Sequence, residues 1–414
     1  MTSIKKQVLI IGGGAAGMMA AISAQRSGAV VTILERNPRV GKKILATGNG
    51  RCNFTNINTD ATCYHGRNPQ FVYSALSAFG VQETLNFFEE LGIAPKVEDL
   101  GKVFPMSDQA SSVLDVLRYE LEELGVQIIC DAFVQRIKKE QGKFKVELEN
   151  GTSLKGDSIV LASGGKAYPS SGSDGNGFAL AEKLGHMIIP IFPALVQLKL
   201  EGEYFKQIQG VKFVGTAELL HQQKTVDKDR GDILFANYGV SGPPILQISR
   251  KAGTLLQAQE EVVLKLTLIA SLSKEDLTKL LITRWQNRPG KSVEFSLVGL
   301  INKRLIPVVL KEAGIKDLQC PAGNLAAEER EKIVTILTDW RFRVRGTKGW
   351  SSAQVTAGGV ATAEINQQTM ASKIVPGLYF AGEIMDIDGQ CGGFNLQWAW
   401  SSGYLAGQSA ALDE

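Results

Sequence analysis

QVLIIGGGAAGMMAAISAQRSGAVVTILE, residues 7–35, decides the fold of this chain. QVLII is a continuous apolar run, the pattern of a central parallel strand buried on both faces. Ala15 to Ser27 is rich in Ala and Met at helical spacing and stops at Gly28, a natural helix C-terminus. Ala29 to Leu34 is a second buried strand. Between the first strand and the helix lies Gly12-Gly13-Gly14-Ala15-Ala16-Gly17. Gly12 permits the tight turn, Gly14 lets backbone approach a pyrophosphate, and Gly17 allows the helix to pack closely on the sheet. The amides around Ala15 and Ala16 open the helix and offer oriented N–H donors to phosphate. Glu35 ends the second strand 23 residues after Gly12, where a carboxylate accepts hydrogen bonds from ribose hydroxyls and repels a 2′-phosphate. A lone G-x-G-x-x-G is a weak signal. Set between a buried strand and a helix, with the acid in place, it predicts a dinucleotide-binding βαβ unit.

The composition of the whole chain bounds what surrounds that unit. A chain of 414 residues exceeds one ordinary domain, and 44% apolar with 21% charged residues is an ordinary globular composition. Lys and Arg (45) nearly balance Asp and Glu (42), so the whole-chain charge of +3 argues for neither nucleic acid nor membrane. The expected partner is a small-molecule substrate, and the oligomeric state is left open. Five scattered cysteines without a C-x-x-C fit a reducing compartment better than a disulfide framework. Three dispersed histidines predict no metal site. The first apolar run leads straight into glycines, so it reads as a strand and not a signal peptide. No stretch approaches the ~18 apolar residues of a membrane helix. A cytoplasmic location is expected.

Along the chain, a helix-like stretch spans Pro69 to Leu91 and another Ser112 to Leu124. Short strands follow at 126–130, 134–139, 143–148 and 158–162, with a Gln141–Gly142 hairpin turn. Residues 195–270 read as antiparallel β, and 273–340 as charged amphipathic helices. Glycine-rich character then returns, ending in LYFAG and a helix from about Gln397. The expected architecture is α/β: a nucleotide-binding domain from both chain ends (1–190 and 351–414) with an insertion at 191–350. That insertion is β-rich at 191–270 and 341–350, barrel-like, and helical at 271–340.

Several later stretches carry candidate ligand groups. Arg36 adjoins the acid. Lys42, Lys43, Gly48, Asn49, Arg51, Cys52 and Asn53 lie in GKKILATGNGRCN, a glycine-rich loop with cations and amide donors. Cys52 reads more readily as a small packing residue than as a redox thiol, since no resolving cysteine adjoins it. Ala162-Ser163-Gly164 ends a buried strand. Gly382-Glu383 follows the last apolar strand, with Asp386 and Asp388 as further acids. Gly392-Gly393-Phe394-Asn395-Leu396-Gln397 leads into the final helix, whose first amides suit a site of accumulating negative charge.

The chain resembles the BaiN/RdsA-like group of NAD(P)/FAD-dependent oxidoreductases, two-dinucleotide-binding flavoproteins that include bile-acid reductases and an aminoacetone oxidase. The resemblance runs through GGGAAG (12–17), GKKILATGNGRCNFTN (41–56), VLASGGKAYP (160–169), NYGVSGPPIL (237–246), AQVTAGGV (353–360) and LYFAGEIMDIDGQCGGFNLQWAWSSG (378–403). It implies a Rossmann-like FAD-binding domain, adenine read by the backbone at Val134, and an acid among Glu383, Asp386 and Asp388 on the ribityl hydroxyls. It implies hydride transfer between flavin and a small organic substrate. The candidates are reduction of an enone C=C with NAD(P)H, or oxidation of an amine with O₂. No second G-x-G-x-x-G–acid unit is visible, so NAD(P)H is expected to bind transiently as electron donor. The alternative is a non-catalytic flavin-binding redox sensor or accessory module. Tyr168, Tyr238, Arg345 and Gln354 lie in flanking loops, but packing explains each as well, and no catalytic acid or base is assigned.

Overall fold

The computed structural model describes residues 5–412; residues 1–4 and 413–414, the outer ends of the expected terminal domain, lie outside the described residues. The chain divides into two compact units, residues 1–193 with 354–414 and residues 194–353.

The first unit is built on a five-stranded sheet. β1 (Gln7–Ile11), α1 (Ala15–Arg26) and β2 (Val30–Leu34) form the βαβ unit. β3 (Gln127–Ile129), β4 (Ser158–Leu161) and β5 (Leu378–Phe380) complete the order β5-β4-β1-β2-β3. Every pairing in it is parallel. Ile10 of β1 lies opposite Val160 and Ile33, and all three are fully buried. An unbroken apolar run therefore makes the centre of the sheet. The final helix, α2 (Phe394–Leu412), is apolar on every side and packs against α1. Gly403 and Gly407 face the backbone of α1, and a Cβ at either would overlap the carbonyl oxygens of Ala16 and Ala20. Ser23 Oγ donates to Tyr404 O across the same contact at 2.7 Å.

The second unit holds a closed six-stranded barrel from strands Leu198–Leu200, Lys212–His221, Lys224–Ala236, Gly239–Ser241, Val263–Thr267 and Trp340–Thr347. Closure removes the exposed edges a sheet otherwise presents. Helices Lys274–Asn287, Ile306–Glu312 and Ala327–Thr338 contribute Leu277, Leu281, Val309 and Ile333 to its core beside Trp285 and Trp340.

Two elements differ from expectation. The helix-like stretch from Pro69 breaks into Val72–Ala78 and Val81–Glu90, because Gly80 caps the second helix with Glu83 folding back onto its amide. The region read as wholly β contains a helix, Pro243–Gln257. Two prolines open it, and Ile245, Ile248 and Ala252 give it a buried stripe.

One buried group makes the first unit sensitive to pH. Ser372 Oγ accepts from the amides of Ile374 and Val375, so its own O–H donates to His186 Nε2 at 2.9 Å. That assigns the neutral ring with its proton on Nδ1, which lies 3.2 Å from Glu364 Oε2 but off hydrogen-bond alignment. Burial pushes the His186 pKa below its ordinary value. The unfolded chain therefore takes up the proton first as pH falls through about 6.5. The urea midpoint is expected to hold steady above that pH and fall below it. His186→Gln is expected to flatten the slope between pH 6.5 and 5; an unchanged slope counts against this origin.

Candidate nucleotide site

Three glycines at the end of β1 do three different things. Gly12 has φ +104°, and a side chain there would press on the carbonyl of Ala162. A Cβ on Gly17 would overlap Gly12 O, so only glycine lets α1 sit this close to the turn. Gly14 is the opposite case: no atom lies within 4 Å of where its Cβ would be. It is the N-cap of α1, and no side chain caps the helix. The amides at Ala15 and Ala16 thus take no side-chain cap at the positive end of the helix, and Gly14 leaves space beside them, an arrangement that suits a diphosphate.

Glu35 stands beside this turn and is 7% exposed. Its Oε2 accepts from Gly13 N at 2.8 Å; its Oε1 accepts from both the backbone and side-chain amides of Asn37, at 2.8 and 2.7 Å. Arg36 turns the other way. Its guanidinium lies over the Phe133 ring at 4.8 Å, pairs with Asp174 at 2.5 Å and donates to Gly172 O. Val134 is buried at the start of the strand Val134–Glu140, in a separate three-stranded sheet, and its carbonyl accepts from Asn176 Nδ2 at 3.0 Å. Beyond β4, Ala162 N donates to Ile11 O, Gly164 is left-handed, and Ser163 Oγ is buried without a hydrogen-bond partner among the described residues.

Farther along, Lys43 reaches Glu383, with Nζ 2.6 Å from Oε2. The other carboxylate oxygen accepts from Thr356 N at 2.8 Å, while Thr356 Oγ1 accepts from the amides of Lys166 and Ala167. Three segments remote in sequence are tied at one carboxylate. Gly382 N donates to Ser402 Oγ of α2, and Trp398 Nε1 of the same helix donates to Gly382 O. Trp400 Nε1 likewise donates to Phe54 O, next to Asn53. Gly392 and Gly393 are left-handed and lead into Phe394 and the first turn of α2, where Leu396 is half-buried. Lys42, Asn49 and Gly48 lie on the loop after β2, the last two in left-handed backbone.

Other expected ligand side chains have partners within the protein. Arg51 donates to Glu98 and Asp108 and lies 4.0 Å above the Phe104 ring. Two carboxylates and a ring face outcompete an open loop for its guanidinium. Glu98 is held below the usual carboxylate range by Arg51 and then Lys96, Asp108 by Lys96 and then Arg51. Gln397 is fully buried: its oxygen accepts from Thr55 Oγ1, and its amide donates to Thr84, Ser401 and Phe79. Asn395 clamps Gly389 and Gln390. Asn53 Oδ1 accepts from Val103 N, and Asp386 Oδ2 accepts from Arg67 N. Sequence reading missed Asn37, Thr356, Trp398 and Trp400. Only Asn37, two residues past the acid, carried a local signal.

The HI0933-like protein Rossmann domain matches residues 6–409. The chain belongs to the HI0933-like family. It is 41% identical over 404 residues to a 3-dehydro-bile acid delta(4,6)-reductase of Clostridium scindens, covering 97% of this chain and 98% of that protein. It is 33% identical to a ribosomal RNA dihydrouridine synthase of Escherichia coli, with 97% and 96% covered. Among solved structures, a 3-ketosteroid-delta4-(5alpha)-dehydrogenase from Rhodococcus jostii RHA1 shares the fold at TM-score 0.50 and 19% identity, covering 99% of this chain and 98% of that one. This HI0933-like chain is an oxidoreductase of the flavoprotein class. No helix among the described residues is long and apolar enough to cross a membrane.

Two outcomes follow for this family member. Gly14→Ala keeps an extended backbone any residue adopts (φ −80°, ψ −170°). It is expected to leave the melting of the flavin-free protein within about 1 kcal/mol of the parent while lowering flavin affinity at least tenfold in a fluorescence titration. Gly17→Ala is expected to cost about 1–3 kcal/mol or more without any ligand. Cys52 is fully buried, and its thiol is pushed up to about 12. In the folded protein at pH 8 it is expected to resist iodoacetamide while the partly exposed Cys130, Cys320 and Cys391 are labelled, as peptide mapping reads directly.

Proposed function

We propose that this chain is an FAD-dependent reductase that saturates a C=C bond conjugated to a carbonyl, with NADH or NADPH as electron donor. The observation that carries the reading is the uncapped helix end at Gly14 beside the oriented carboxylate of Glu35. It occurs in a chain related over nearly its whole length to named reductive enzymes. The two relatives' names describe one kind of chemistry. A 3-dehydro steroid with a delta-4 double bond is an enone, and making dihydrouridine saturates the uracil C=C next to a carbonyl.

The residues take these roles. The amides at Ala15 and Ala16 hold the diphosphate, and Gly14 leaves room for it. Glu35 accepts from the adenosine ribose. The backbone near Val134 lies beside the adenine, and Glu383, oriented by Lys43 and Thr356, accepts from the ribityl chain. The turn at Gly392–Phe394 directs the first amides of α2 toward the flavin ring. FAD bound by these residues would supply a two-electron carrier between NAD(P)H and the electron-poor carbon. The balance is NAD(P)H, a proton and the alkene in, NAD(P)⁺ and the saturated product out. Five scattered cysteines without a C-x-x-C fit a reducing cytoplasmic setting.

A small enone is the primary substrate reading. A uracil in RNA is the second, favoured by one observation that the whole-chain charge concealed. Residues 194–353 carry 24 Lys and Arg against 17 Asp and Glu, while the rest carries 21 against 25. An excess of cations on the barrel unit suits a polyanion.

The test is anaerobic reduction of the purified yellow protein, followed at the flavin absorbance. NADH or NADPH is expected to bleach it, and adding a 3-oxo-4-ene steroid or a uridine-containing RNA fragment to restore the colour. Recovery with RNA alone, weakening with salt, selects the second substrate. No bleaching by either donor sinks the reductase reading.

A further inference from the structure

Asn37 holds a position that ribose recognition by Glu35 alone does not explain. A carboxylate offers roughly four lone-pair directions, and three donors already occupy those of Glu35. Oε1 takes both Asn37 amides, and Oε2 takes Gly13 N. One acceptor direction is left, on Oε2, the oxygen beside the glycine turn. Asn37 Nδ2 simultaneously donates to Ser171 O at 2.9 Å. That bond fastens the short turn Pro169–Ser171 to the end of β2. Gly172 completes the latch: at φ +102° it is left-handed, and a Cβ there would collide with Asn37 Nδ2. Arg36, one residue earlier, grips the same turn through Gly172 O and Asp174. Asn37 O accepts from Asp131 N, so its backbone is anchored as well.

We infer that Asn37 is a positioning residue for cofactor selection: it aims the single free acceptor of Glu35 at an adenosine ribose hydroxyl and locks the 169–172 turn beside it. The inference rests on the FAD-binding reading above and concerns binding alone, not turnover. Without the Nδ2 donor, Oε1 regains an open lone pair, the carboxylate is held only by the backbone amides of Gly13 and Asn37, and the turn loses the Asn37 side chain's tie to β2. The selectivity that depends on the ribose hydroxyls then falls.

The experiment measures binding of FAD, and of an FAD analogue whose adenosine ribose lacks both hydroxyls, by flavin fluorescence without any electron donor. Asn37→Ala is expected to weaken FAD about tenfold, the worth of one charge-assisted hydrogen bond, and to change affinity for the analogue less than about twofold. Asn37→Asp keeps the shape but places a second carboxylate against Glu35. It is expected to bind FAD poorly at pH 8 and to approach the parent near pH 5.5, where a shared proton restores the missing donor. Equal weakening of both nucleotides by Asn37→Ala, or a pH-independent ratio between Asn37→Asp and parent, overturns the inference. A parent protein that binds no FAD fails the functional reading instead.

Discussion

The contact on which the first unit depends is backbone against backbone. Gly403 and Gly407 let α2 lie directly on the Ala16 and Ala20 carbonyls of α1. Any side chain at these positions would overlap those oxygens and push the helices apart, and a packed interior does not absorb that cheaply. The approach brings the end of the chain beside its beginning. The loop carbonyls of Gly382 and Phe54 are held through α2.

The anchors are specific. Two buried tryptophans two residues apart point to different faces of that helix, and each gives its only N–H to a loop carbonyl: Trp398 to Gly382, Trp400 to Phe54. Ser402 holds the Gly382 amide. Gln397, with every polar atom satisfied, ties the helix to Thr55, Thr84 and Phe79. A buried amide left unpaired costs about 1–3 kcal/mol, so this network is costly to disturb and keeps its geometry. The two carboxylates that matter, Glu35 and Glu383, are each oriented by at least two donors before any ligand is considered. A site with such pre-set acceptors pays little reorganisation on binding.

Local pattern made much of this legible. The sheet centre, α1, the glycine turn and Glu35 all lie within one short stretch, where strand period, helix period and turn chemistry reinforce one another. Where signals were purely compositional, the reading erred. Gly80 interrupted an apparent long helix, and the helix Pro243–Gln257 sat inside a region whose flanks alternate like strands. Site residues divide in the same way. Lys43 was credited as a ligand-facing cation, and its partner Glu383 as an acid, but nothing local says that they meet. For Arg51 and Gln397 the sequence names no protein partner, and the fold supplies several. Glu98 and Asp108 claim the first, and Thr55, Thr84 and Ser401 the second.

By itself, the sequence determined the βαβ unit and the class of ligand its turn is shaped for, because those rest on neighbours along the chain. Tertiary structure alone decided which polar side chains remain available to a ligand. A hydrogen-bonding group is free or spent according to what folds against it. For Glu383, Gln397 and Asn37 those partners arrive from 134 to 342 residues away.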